Sequence, residues 1–137
     1  MLEQASAIPF RWNDDSLEFC LITSLRAHKW GFPKGLIDLG ETYVDTARKE
    51  ACEEAGLVGD IDPEPVGKYR YAKWGTRLDV TVVLMRVTSS QSEWDESELR
   101  ERRWVTATKA RKLLHRHQLR DLLDKAIRRL TQASDLQ

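Results

Sequence analysis

The stretch from Gly35 to Leu57 constrains this 137-residue chain more than any other, because it fixes several carboxylates along one helix. Thr42 followed by Asp45 predicts a capping box, and Gly56 predicts the end of a helix over 42–55. Small residues recur at helical spacing on one face, so we expect this helix to lie close against a sheet. They are Val44, Ala47, Ala51 and Ala55.

Three glutamates gather on this helix within about one turn. Glu50 and Glu54 are four residues apart, and Glu53 is adjacent to them. Like charges at these spacings repel one another and destabilise a helix unless something neutralises them. Magnesium prefers oxygen ligands and is commonly bound by one or two carboxylates together with substrate phosphates. The alternative is an ordinary acidic, solvated helix face.

The spacing of the whole segment resembles the Nudix box, G-x5-E-x7-R-E-U-x-E-E-x-G-U, in which U is a bulky aliphatic residue. Two positions depart from that pattern: Lys49 stands where the family has arginine, and Ala51 where it has a larger aliphatic residue. Lysine keeps the charge but loses the bidentate fork of arginine. The matching positions are Gly35, Glu41, Glu50, Glu53, Glu54, Gly56 and Leu57.

The resemblance implies an α/β fold: a Nudix α/β/α sandwich with a mixed sheet, a loop-helix-loop catalytic box over 35–57 and a single domain over 1–137. It implies a magnesium cofactor, with manganese as a possible substitute. Glu53 and Glu54 would be metal ligands, Glu50 a ligand or the general base, and the Gly35 carbonyl part of the shell. Glu41 would orient the helix by pairing with Lys49.

Outside the box, Trp30–Gly35 is similar to the W-x-x-P-K-G stretch of diadenosine polyphosphate hydrolases. It is less like the P-G-G-G stretch of diphosphoinositol polyphosphate phosphohydrolases. Glu98, six residues before Trp104, falls where the diadenosine group has a glutamate that faces the metals.

Four more residues are candidates for substrate binding. Arg26 and Lys34 are cations that would bind extra phosphates, or else ordinary surface cations. Tyr71 and Trp74 are aromatic residues that would stack on a base, or else pack within a strand.

The remaining pattern predicts strands and helices in alternation, and therefore a mixed sheet with helices on both sides. Loops are expected near 27–35 and 88–96, and fraying over about the last seven residues. The predicted strands are 16–25, 66–74, 79–87 and 102–106, and the predicted further helices are 107–114 and 119–130.

Charge is unevenly distributed along a chain whose net charge is zero. Residues 1–99 hold 11 basic and 18 acidic residues, giving −7, whereas residues 100–137 hold 11 and 4, giving +7. Cys20 and Cys52 lack metal-site spacing and suggest free thiols in a reducing compartment. Without a signal-peptide pattern or a long apolar run, we expect a cytoplasmic protein that does not enter a membrane.

The leading functional hypothesis is magnesium-dependent hydrolysis of a phosphoanhydride bond in a nucleoside diphosphate-linked substrate, diadenosine tetraphosphate first. Cleavage of diphosphoinositol polyphosphates is the alternative within this class. A catalytically silent ligand-binding or regulatory Nudix module is a second class, which the intact glutamates disfavour. RNA binding by the basic C-terminal third is a third class, without a supporting aromatic motif. The expected partner is a small-molecule polyphosphate, nucleic acid is unlikely, and the protein is a monomer or a homodimer.

Overall fold

In the computed structural model, which describes residues 2–135, one eight-stranded mixed sheet carries three helices. Its strands are β1 (Leu2–Asn13), β2 (Ser16–Thr23), β3 (Trp30–Gly31), β4 (Lys34–Leu36), β5 (Leu57–Ile61), β6 (Gly67–Lys73), β7 (Thr76–Ser90) and β8 (Arg102–Thr106). Its helices are α1 (Tyr43–Ala55), α2 (Ala107–Leu113) and α3 (His117–Asp135).

Strand β1 is the centre of the sheet. It pairs in parallel with the long strand β7 and forms an antiparallel hairpin with β2. Its early residues also pair with the short strand β4, where Ala5 lies opposite Gly35. Because β4 leads directly into the loop before α1, this pairing fixes where the helix starts relative to the sheet.

The two faces of the sheet differ in the size of their side chains. Alternate residues of each strand point to opposite faces, so each central strand supplies both layers of core. One face packs large residues such as Ile8, Phe19 and Leu21 against α2 and α3. The other face packs Ala5 and Ala7 of β1, together with Cys20, Ile22, Val83 and Met85, against the alanines of α1. Helices therefore cover both faces, which confirms the predicted α/β sandwich.

The predicted helices are present, and the predicted strands correspond to β2, β6, β7 and β8, whereas β1, β3, β4 and β5 were not predicted. The loop predicted over 27–35 contains the short strands β3 and β4, and the loop predicted to begin at Thr88 starts only after β7 ends at Ser90. The strand predicted to reach Trp74 ends at Lys73, and Trp74 occupies the turn with a φ of 53°.

Strand β1 was not predicted, although it is the central strand. Its sequence carries Gln4, Ser6 and Pro9, residues that weaken a strand signal. Ser6 is fully buried, and its hydroxyl donates a hydrogen bond to the Pro33 carbonyl (2.8 Å). The loop before β4 therefore provides the hydrogen-bond partner of Ser6, the polar residue that interrupts the apolar pattern of this strand.

Helix α3 is longer than expected. It extends to Asp135, beyond the predicted end at residue 130, and the last residues of the segment predicted to fray, 136–137, lie outside the described part. Propagating an existing helix adds one hydrogen bond for each residue fixed, which favours continuation past the last apolar position. No helix within residues 2–135 is long and apolar enough to cross a membrane.

We predict that Ala51→Leu destabilises the protein, although a larger aliphatic residue is usual at this position of the box. Ala51 is fully buried against the alanines of β1, so added methylenes would push α1 away from the sheet at a cost of about 1–3 kcal/mol. Denaturant unfolding measures the change, and Cys52→Leu on the exposed side of the same helix is the control. Equal stability of Ala51→Leu and the wild type would contradict the close packing.

Candidate metal and catalytic site

Helix α1 has a hydrogen-bonded cap at each end. The Thr42 hydroxyl accepts from the Asp45 N–H, and the Asp45 carboxylate accepts from the Thr42 N–H (both 3.1 Å), so the predicted capping box is confirmed. Gly56 ends the helix in the left-handed region with a φ of 66°. A Cβ at this position would also meet the Trp94 side chain, so only glycine fits there.

The ion pair expected between Glu41 and Lys49 is present. Lys49 Nζ donates to both carboxylate oxygens of Glu41, at 3.1 and 3.0 Å, and also to Asp38 (3.2 Å). The hydrogen bond from Lys49, and after it the one that the Asp38 backbone N–H donates to Glu41, lower the pKa of Glu41. A single nitrogen atom of Lys49 therefore donates to both Glu41 oxygens and also to Asp38. These contacts partly replace the two-pronged hydrogen bonding of an arginine.

Glu54 is the most buried of the three helix glutamates, 9% exposed, and two partners bind its carboxylate. The Lys34 backbone N–H donates to Oε1 and Arg100 Nη2 donates to Oε2, both at 2.9 Å. Burial raises the pKa of Glu54 to about 7, although Arg100 and the Lys34 N–H oppose the rise. One glutamate thus joins helix α1 to strand β4 and to the loop before β8.

Glu50 has an unsatisfied oxygen atom beside Gly35. Its Oε2 is buried and has no hydrogen-bond partner among the described residues. Burial and the neighbouring Glu53 charge raise the pKa of Glu50 to about 7. A Cβ at position 35 would overlap the Glu50 carboxylate, which explains why the box needs glycine there. The backbone of Gly35 and the carboxylate of Glu50 are therefore in close contact.

Sequence reasoning missed Arg100, which is the central cation of the site. Its guanidinium donates to Glu54, to Glu96 Oε1 (2.7 Å) and to the Thr23 carbonyl (3.0 Å), and its side chain is only 10% exposed. The loop 91–101 brings Arg100 and Glu96 to the helix. The sequence signal for the pair is weak: it consists of one i,i+4 glutamate–arginine spacing in a polar loop.

Two further contacts, one from this loop and one from β8, hold the last turn of α1. Trp94 Nε1 donates to the Glu54 carbonyl (2.9 Å), and Arg102 Nη1 donates to the Ala55 carbonyl (2.8 Å). The Arg102 guanidinium lies 4.0 Å from the centroid of the Trp94 ring. These donors satisfy carbonyls that a helix end leaves unpaired, so they hold the backbone of Glu54 in place.

The donor set fits a hard divalent cation. Glu50 offers a free, buried carboxylate oxygen, and carboxylate oxygens are the ligands that magnesium prefers. Among the described side chains, however, no three acidic, histidine or cysteine groups converge as a ready cluster. The repulsion among Glu50, Glu53 and Glu54 explains this, because Arg100 already neutralises Glu54 while Glu50 points towards Gly35.

The other candidate residues take different places around this centre. Glu98 is exposed and lines a depression with Glu93 and Asp95, whereas Glu96 is the loop glutamate next to Arg100. Arg26 is exposed in the turn between β2 and β3.

The aromatic candidates also separate. Trp74 is 79% exposed at the tip of the β6–β7 hairpin and lies under Lys73. Tyr71 is partly buried, and Lys34 Nζ lies 5.1 Å from the centroid of its ring. Tyr71 therefore adjoins the carboxylate site through Lys34, whose backbone N–H is bonded to Glu54.

Comparisons with known proteins agree with this geometry. A family model described as NUDIX domain matches residues 3–128. Nudix hydrolase 17, mitochondrial, of Arabidopsis thaliana is 31% identical over 133 residues, which are 90% of this chain and 72% of that protein.

Solved structures share the fold at lower identity. A Caenorhabditis elegans Ap4A hydrolase in a binary complex superposes with a TM-score of 0.81 at 23% identity, covering 96% of this chain and 98% of that one. The NUDIX domain of Shewanella oneidensis NrtR complexed with ADP ribose gives 0.77 at 17% identity, covering 95% and 88%.

We predict that Glu50→Gln stabilises the metal-free protein at pH 8 and has a smaller effect at pH 5. A carboxyl group whose pKa is raised on folding costs stability as pH rises from its unfolded value, about 4.3, through its folded value of about 7. Glutamine removes that cost. Thermal unfolding in a chelator measures the difference, and Glu93→Gln in the exposed loop is the control. A destabilised variant at pH 8 would contradict this account of Glu50.

Proposed function

The chain belongs to the NUDIX domain family, and we propose that it is a magnesium-dependent hydrolase of diadenosine polyphosphates, the tetraphosphate first. The coarser activity follows from the family itself: the protein is a pyrophosphohydrolase acting on a nucleoside diphosphate-linked substrate. The choice of metal, of substrate and of residue roles is our proposal.

The observation that carries the proposal is the arrangement around Glu50 and Glu54. Glu54 is bound by Lys34 and Arg100, whereas the buried Oε2 of Glu50 has no partner and lies beside the Gly35 backbone. An unpaired buried carboxylate oxygen is costly unless a ligand uses it. This cost supports an active enzyme over a silent binding module, because a silent module would not need an unpaired carboxylate oxygen.

We assign roles to the residues on this basis. Glu53 and Glu54 contribute carboxylate oxygens to the cation, and the Gly35 carbonyl completes part of its shell. When bound, magnesium or manganese would neutralise phosphate oxygens and lower the pKa of the attacking water. Glu50 either joins the ligands or takes the proton from that water. Glu98 is retained as a candidate ligand, although Glu96 lies closer to Arg100.

Two features support a polyphosphate over a simple diphosphate. Lys34 places its ammonium next to the carboxylate site, so phosphates beyond the reacting pair would find a cation there. The fold is also shared over almost the whole chain with a protein described as an Ap4A hydrolase. We further propose that Arg26 and Trp74, both exposed, contact the distal part of the substrate.

Cellular location and assembly are also proposals. The described cysteines, Cys20 and Cys52, are free thiols, which supports a reducing compartment such as the cytosol. The small-molecule partner follows from the fold, because a neighbour of the same fold was solved with ADP ribose. A monomer or a homodimer would both satisfy a site built from one chain.

The test is a phosphate-release screen in magnesium over dinucleoside polyphosphates, nucleoside triphosphates, nucleotide sugars and inositol pyrophosphates. We predict the highest kcat/KM on diadenosine tetraphosphate, because Lys34 adjoins the reacting diphosphate. A higher kcat/KM on inositol pyrophosphates would contradict the proposed substrate and favour the alternative, diphosphoinositol polyphosphate cleavage.

A variant in the same screen separates the enzyme from a contaminant. Glu54→Gln should abolish turnover, since the residue joins α1, β4 and the Arg100 loop at the reacting centre. Glu93→Gln, in the exposed part of the loop, should keep the wild-type rate. Wild-type turnover by Glu54→Gln would refute the assigned site.

A further inference from the structure

Arg116 lies beside the carboxylate site, although nothing in the sequence pattern singled it out. It sits in the short loop between α2 and α3, and its guanidinium carbon lies 4.9 Å from the centroid of the Tyr71 ring. Lys34 Nζ lies 5.1 Å from the same centroid. Both cations therefore lie against one aromatic ring, which limits the distance between them to the sum of those two distances.

Among the side chains described, those of residues 2–132, no acidic group forms a salt bridge with either cation. By contrast, Arg100, Arg102 and Arg129 each bind a carboxylate or backbone carbonyls. Burial lowers the pKa of Lys34, the negative charge of Glu54 opposes this, and the charges of Arg116 and Arg100 add to the lowering. Two cations that lie against one ring, neither of them in a salt bridge among the described side chains, attract an anion.

Tyr71 forms a fixed surface beneath both cations. Its hydroxyl donates to Gln4 Oε1 (2.7 Å), and its ring stacks against Tyr69 with the centroids 6.1 Å apart. Two cations already lie over this ring, so stacking on a nucleobase would have to displace them. The ring is better placed to hold Lys34 and Arg116 by cation–π attraction.

The cation pair is contiguous with the reacting centre. Lys34 donates its backbone N–H to Glu54, and its side chain lies against the Tyr71 ring, which Arg116 also contacts. An anion bound between the two cations would therefore be the continuation of a phosphate chain whose other end lies at Glu50 and Glu54. Guanidinium groups match phosphate oxygens in two-point geometry, which makes phosphate the fitting chemistry.

We propose that Arg116 binds substrate together with Lys34, forming a subsite for the phosphates beyond the cleaved diphosphate. This inference rests on the proposed function and deepens it: Arg116 is the cation that, together with Lys34, selects long phosphate chains, while Arg26 remains a proposed contact for the distal part of the substrate. Tyr71 acts as the platform that positions both cations. The preferred substrates then carry at least one phosphate beyond the pair at the carboxylate site.

The first test is kinetic and compares Arg116→Ala with Lys112→Ala, which removes an exposed cation from the neighbouring helix α2. On a dinucleoside tetraphosphate, Arg116→Ala should lower kcat/KM roughly tenfold, the effect of one lost charge-assisted contact. On a nucleotide sugar, both variants should stay within about twofold of the wild type, since the subsite would be empty. Equal losses on both substrates would overturn the proposal, as would an Arg116→Ala variant that behaves like Lys112→Ala.

The second test needs no catalysis and no metal. Calorimetric titration of chelator-treated protein with inorganic tripolyphosphate should give binding that is roughly tenfold weaker in Arg116→Ala and in Lys34→Ala than in Lys112→Ala. Added salt should weaken the wild-type binding, because charges at partly exposed sites are screened. No loss of binding in Arg116→Ala would overturn the proposal.

The two tests also separate this inference from the proposed function. A wild type that binds tripolyphosphate through Arg116 but cleaves no nucleotide polyphosphate would sink the substrate assignment and leave the anion subsite supported. If the wild type cleaves diadenosine tetraphosphate and Arg116→Ala is unimpaired, the substrate assignment is supported and the anion subsite is refuted. If Arg116→Ala fails to fold, Arg116→Gln and the charge-keeping Arg116→Lys carry the same comparison, with Arg116→Lys expected between Arg116→Gln and the wild type.

Discussion

The structure of the site depends on how the Glu54 carboxylate is bound. Its two oxygens accept from the Lys34 N–H and from Arg100, and its backbone carbonyl accepts from Trp94. These three donors come from β4 and from the loop 91–101, so a single residue joins three separate parts of the chain. A buried, charge-assisted pair is costly to break from one side, which makes this arrangement a rigid one.

The sheet makes that arrangement possible by letting α1 come close. The alanines of α1 pack on Ala5 and Ala7 of the central strand, while the larger residues face α2 and α3. Because β4 pairs with β1, the Gly35 backbone reaches the Glu50 carboxylate without a side chain between them. Small residues on this one face therefore set the distance between the backbone of β4 and the helix that carries the glutamates.

The helix and its glutamates could be predicted from sequence because their spacing is local. Capping, the i,i+4 relation of Glu50 and Glu54, and the Glu41–Lys49 pair all lie within one short segment. The partners of Glu54 could not be predicted, because Arg100 is 46 residues away and reaches it only when the loop crosses the helix end. Arg116 was missed for the same reason: it lies in the loop before α3, and its neighbour Tyr71 lies far away in the sequence, on β6. Strand β1 was missed because Pro9 and buried Ser6 mask its alternation.

We propose that the helix carboxylates form a cation site, and that the protein alone leaves part of their negative charge uncompensated. The most direct measurement is thermal unfolding of the wild type and of Glu53→Gln, in chelator and in millimolar magnesium with a non-cleavable substrate analogue. A ligand that binds only the folded state adds about 2.7 kcal/mol at a hundredfold excess over Kd. The account predicts that magnesium raises the Tm of the wild type, and raises that of Glu53→Gln much less. A wild-type Tm that magnesium leaves unchanged, with and without the analogue, would contradict it.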